Sequence, residues 1–93
     1  MSSQEQYMQN PQQKYQPGLV FFDSFKAGLT FRGSSMQLFA EKHSVKYQNI
    51  RFYATGHSNG PRSVAMRNAM IEEVGPELFH TLYRARKSVE AVV

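Results

Sequence analysis

Residues 50–60 read IRFYATGHSNG, and the fold turns on how they are read. In one reading Ile50 to Thr55 is a β-strand. Gly56-His57-Ser58-Asn59-Gly60 is then the G-x-S-x-G turn of a hydrolase, with Ser58 as its nucleophile. Ile, Phe, Tyr and Thr do favour strands. In the other reading Ile50, Tyr53 and Ala54 follow helical spacing, and Gly56 ends the helix by turning left-handed. The flanking segments are helical, so the helix is the expectation. The apparent elbow is then the loop that leaves it.

The length of the chain points the same way. It has 93 residues, enough for one small domain with a modest core. A hydrolase of the elbow type needs a large parallel sheet with its serine at the top of a central strand. There is no room for one. Glu72, Glu77 and His80 follow as triad partners on paper, but Pro61 comes directly after the motif and no glycine-rich oxyanion loop precedes it. No catalytic role is expected for Ser58, and no enzyme activity for the chain.

Cysteine is absent, which removes a disulfide framework, a thiolate zinc site and a cysteine nucleophile. It fits a reducing cytoplasm. His43, His57 and His80 are far apart and lack metal-ligand spacing, so neither metal nor cofactor is expected. No apolar stretch approaches the roughly 18 residues of a membrane span. The N-terminus has no apolar core of a signal peptide.

The formal net charge is +4, and surplus positive charge favours anionic partners, nucleic acid first. The charge is unevenly placed. Lys42, Lys46, Arg51, Arg62 and Arg67 lie between residues 42 and 71 with no acid among them. Such a stretch is either a solvated positive face or a nucleic-acid surface.

Residues 1–17, MSSQEQYMQNPQQKYQP, carry six glutamines, two prolines and almost nothing apolar. They cannot bury enough surface to offset the entropy of ordering. A disordered tail is expected, with an arm that orders on DNA or on a partner as the alternative.

From residue 18 the pattern is helical to about residue 90. Leu19, Phe22, Phe25 and Leu29 recur at helical steps, and Gly33 is a stop. Ser35 has the character of an N-cap for a helix over 36–42, with Leu38, Phe39 and Ala40 inward. The third helix carries Ile50, Tyr53 and Ala54 inward. Pro61 suits the first position of a fourth, with Val64, Met66, Met70, Ile71 and Val74 as its core. Gly75 closes it and Pro76 opens a fifth, with Leu78, Phe79, Leu82 and Tyr83 apolar. The expected fold is all-α, with five helices.

Residues 36–55, MQLFAEKHSVKYQNIRFYAT, resemble the helix-turn-helix of the Cro/phage-repressor (XRE-like) family. Ala40 is the small residue where the two helices cross, Val45 plugs the turn, and Ile50 and Tyr53 anchor the second helix of the motif. Ala40, Val45 and Ile50 stand five residues apart. Gly33-Ser34-Ser35 and Gly60-Pro61-Arg62 resemble the family's lead-ins to its second and fourth helices. The resemblance covers residues 19–75 and implies a λ-repressor-like domain. The chain departs from it at His43, where the family prefers Leu or Met, and at Ser44, where it has glycine. A left-handed serine there costs about 1 kcal/mol. His43 is expected to pack in the core.

The resemblance lays the third helix in the major groove of double-stranded DNA. It implies base contacts from Tyr47, Gln48, Arg51 and Phe52, with Asn49 and Thr55 at the margins. Gln suits adenine and Arg suits guanine, each with a two-pronged hydrogen bond. Phe52 rests on a thymine methyl or packs against the tail or another subunit. Phosphate contacts are expected from Ser35 and Gln37 at the start of the second helix. Lys46, His57, Ser58, Asn59 and Arg62, around the ends of the third, complete the set.

One small domain reads few bases, so a homodimer on a two-fold site is expected. Leu78, Phe79, Leu82 and Tyr83 either form its interface or close the core of one copy. The expected function is a DNA-binding transcriptional regulator, a small repressor of phage or mobile-element type acting at the nucleoid in the cytoplasm. The rivals are a protein-interaction module of antitoxin or antiactivator kind, and an architectural or excision factor that bends DNA.

Overall fold

Among the described residues, five α-helices follow the turn signals of the sequence. They are α1 (Leu19–Phe31), α2 (Met36–Lys42), α3 (Tyr47–Thr55), α4 (Pro61–Val74) and α5 (Pro76–Val92). The computed structural model describes residues 15–57 and 60–92, and no strand occurs among them. Ile50 to Thr55 is therefore helical, and no strand feeds Ser58.

α1 is the central helix, packed on α3, α4 and α5. That position buries more than one stripe of it: Val20, Phe21, Phe22, Ser24, Phe25, Gly28 and Leu29 are all inside. Leu19, expected inward, is 57% exposed, and Phe21 is fully buried instead. At Gly28 a β-carbon would overlap the Val74 side chain, so glycine sets how closely α1 and α4 approach. On α2, Phe39 and Ala40 are buried but Leu38 is 55% exposed. A helix of two turns offers only a narrow inner face, and Leu38 falls outside it.

The connections are built from the residues that signal them. Ser35 caps α2, its Oγ accepting from the Leu38 amide at 3.2 Å. The turn between α2 and α3 is closed by Ser44 N–H donating to Glu41 O at 3.3 Å and Val45 N–H to Ala40 O at 3.0 Å. This pairing is the Schellman arrangement, and it puts its left-handed position on Ser44, at φ 56°. Gly56 ends α3 at φ 80°, and Pro61 opens α4.

One expectation is corrected at the N-terminal strap, and on α5 burial favours one of two open readings. The tail was expected to run to residue 17, yet Tyr15 is 6% exposed and belongs to the core. Its ring meets Phe79 at 5.1 Å and Tyr83 at 4.9 Å, and its hydroxyl is hydrogen-bonded to His80 Nδ1 at 2.8 Å. The Gln16 amide donates to the Tyr83 hydroxyl at 3.1 Å and the Gly18 amide to Ala54 O at 3.0 Å. Residues 15–18 are thus a strap across α5 and the end of α3. Residues 1–14, the rest of that expected tail, lie outside the described residues. On α5, Phe79 is fully buried and Tyr83 is 7% exposed, so both close the core of one copy and neither is available to a second. Leu78 and Leu82 are half-buried. No helix among the described residues is long and apolar enough to cross a membrane.

Candidate nucleic-acid interface

α3 buries Ile50 and Ala54. That pins the opposite side of the helix outward. Tyr47, Gln48, Arg51 and Phe52 are all exposed, and their one- and four-residue steps place them on one face. Asn49 and Thr55 are half-buried at its margins. The Thr55 hydroxyl donates to Arg51 O at 2.7 Å, so its proton is bonded within the helix. Phe52 is 46% exposed and stacks on the His57 ring, centroids 4.9 Å apart. The histidine covers part of its apolar surface.

The start of α2 and the start of α3 meet in one cleft. It holds about 260 Å³, and Ser35, Gln37 and Tyr47 line it together with Lys26 from α1. Gln37 Nε2 donates to Glu41 Oε2 at 3.1 Å, which orients the amide along α2. Lys26 was missed by the sequence reading. Its Nζ lies 4.7 Å from the Phe22 ring centre, and the Arg51 guanidinium carbon lies 5.5 Å from the same ring. Asp23 offsets part of the charge, 3.8 Å from Lys26. Only the packing of α1 against α3 brings Lys26 to this face, and no local motif signals it.

The basic stretch divides on folding. Lys42 is paired with Glu73 at 2.9 Å. Arg67 is 1% exposed, and its Nη1 donates to Tyr53 O at 2.8 Å. Burial lowers its pKa from the ordinary arginine value. Lys46, Arg51 and Arg62 are exposed, as is the paired Lys42. Lys46 stands at the head of α3. Arg62 stands beyond its tail, with Nε donating to the Tyr53 hydroxyl at 3.0 Å. Of the five basic residues in the stretch, Lys46, Arg51 and Arg62 therefore stand around α3, with Lys26 added. His43 packs its ring on Phe39 at 4.3 Å, and its Nε2 is buried without a hydrogen-bond partner among the described residues. Ser58 and Asn59 lie outside the described residues.

Comparison with protein-family models, with curated proteins and with solved structures finds no significant match to this chain.

Proposed function

We propose that this chain is a sequence-specific DNA-binding regulator that reads the major groove with α3. The observation that carries the reading is the exposed face of Tyr47, Gln48, Arg51 and Phe52 on a helix entered through a tight four-residue turn. Such a helix fits the groove, and Gln48 and Arg51 carry the donors that distinguish adenine and guanine there. Lys26, Ser35 and Gln37 flank the face on one side, Lys46 and Arg62 at its ends. These hold phosphates and set register. The reading extends to a small repressor of the Cro/phage-repressor type that occupies an operator as a homodimer.

The dimer surface is proposed on α5 and α1, moved from the buried Phe79 and Tyr83 to a largely apolar hollow between the two helices. Ala27, Leu82, Ala85 and Val89 line that hollow of about 320 Å³ together with Ser24 and the Asp23–Arg86 ion pair (3.0 Å), and Val89 is 57% exposed. Binding of a random-sequence duplex across a range of salt concentrations tests the electrostatic half of the proposal. Affinity falls with salt at a log–log slope of about −0.9 per phosphate held, and Arg62→Ala makes the slope shallower by about one. No binding at low salt contradicts the proposal.

A further inference from the structure

The last turn of a helix leaves its carbonyls without partners inside the helix. In α3 three of them are taken, each by a different part of the molecule. Phe52 O accepts from the amides of Gly56 and His57 in the following loop. Ala54 O accepts from the Gly18 amide in the strap, at 3.0 Å. Tyr53 O accepts from Arg67 Nη1 on α4, at 2.8 Å. The third differs in kind, because it brings a cation into the interior.

A buried guanidinium loses its hydration, and an apolar side chain of similar volume fills the same space without that loss. What arginine adds is a directed charge-assisted hydrogen bond, aimed here at the negative end of the α3 dipole. The same residue is gripped a second time. Arg62, also on α4, donates Nε to the Tyr53 hydroxyl at 3.0 Å. α4 thus holds Tyr53 by its main chain from inside and by its side chain from outside. Arg51 and Phe52, the residues immediately before Tyr53, lie on the exposed face.

We infer that Arg67 is a positioning residue for the reading face: its bond to the Tyr53 carbonyl fixes the C-terminal half of α3, and with it the aim of Arg51 and Phe52. This rests on the proposal that α3 reads DNA. Arg67 does not itself touch DNA. It acts through the backbone of the helix that does.

The test is Arg67→Met and Arg67→Lys in the full chain, with two readouts. The first is amide hydrogen exchange, residue by residue. The second is base preference, from selection of bound sequences out of random duplex DNA. In Arg67→Met the amides of Gly56 and His57 exchange about tenfold faster while those of Phe25 and Leu29 change little. Preference at the base opposite Arg51 flattens, and preference opposite Gln48, in the first half of α3, persists. Arg67→Lys, which keeps the charge and loses the forked reach, falls between wild type and Arg67→Met in both.

An Arg67→Met chain with unchanged exchange and unchanged preference overturns the inference. So does one in which all amides quicken alike, since that is a general loss of stability. If Arg67→Met does not fold, Arg67→Lys decides by the same criteria: selective loosening at the α3 end upholds the inference, and an even effect or none overturns it. If the wild type shows no base preference, the DNA reading fails, while the exchange pattern still judges the role of Arg67 in holding α3.

Discussion

Tyr15 presents its ring to Phe79 and Tyr83 and its hydroxyl to His80, so its ionisation is tied to folding. Burial, and to a smaller degree Tyr83, raises its pKa above the ordinary value of 10.0. The neutral phenol is the form the fold accepts. The stability Tyr15 contributes is therefore complete below about pH 10 and is lost as pH rises from there through the folded-state pKa. Urea midpoints taken from pH 8 upward are expected to fall above about pH 10 in the wild type and to fall less in Tyr15→Phe. That variant also loses about 1 kcal/mol at neutral pH with its bond to His80. An equal alkaline fall in both contradicts this role for Tyr15. The residue was not legible in the sequence. It stands in a glutamine-rich segment, and what buries it lies more than sixty positions away. Arg67 escaped for a related reason. Charge in a sequence reads as surface, and only the crossing of α3 and α4 shows this one to be inside.

At the scale of elements the signals were local, and most of them held. Ser35, Gly56, Pro61 and Gly75 each mark a boundary by their own backbone or hydrogen-bonding preference, and the helices begin and end at them. The aromatic and β-branched residues of α3 favour a strand, but Ile50 and Ala54 stand four apart and are both buried. Tertiary packing decided the segment in favour of helical spacing. The placement of single residues on helix faces is less legible. Leu19 and Leu38 were given to the core although their helices turn them outward, because spacing alone does not say how wide a buried stripe is. The turn between α2 and α3 carries a cost that can be measured. Ser44 is the non-glycine residue at positive φ among the described residues. Ser44→Gly relieves that strain and is expected to stabilise by up to about 1 kcal/mol, less what glycine adds to the freedom of the unfolded chain. Thermal unfolding of the two chains checks it. A loss of more than about 1 kcal/mol in Ser44→Gly, beyond what glycine's unfolded-state freedom accounts for, contradicts a strained turn.

For the whole molecule, the fold places the α3 face and the apolar hollow on different elements. The α3 face gathers cations from α1, α3 and α4, and the apolar hollow lies between α1 and α5. On the proposed function, the α3 face meets DNA and the hollow meets a second copy. Val89→Glu puts a charge at the edge of the hollow while leaving the core untouched, since Val89 is already 57% exposed. Sedimentation is expected to show a dimer for the wild type and a monomer for Val89→Glu, with the melting of the single domain little changed. A wild-type chain that stays monomeric at high concentration contradicts this surface.

The central claim is that α3 reads base sequence, and Arg51 tests it most directly. The measurement is selection of bound sequences from random duplex DNA, for the wild type and for Arg51→Ala, at two salt concentrations. A two-fold symmetric site is expected for the wild type. Arg51→Ala is expected to lose preference at one position in each half-site, at a cost of about 1–3 kcal/mol. Binding that is sensitive to salt and blind to sequence, and the same in both chains, would contradict it.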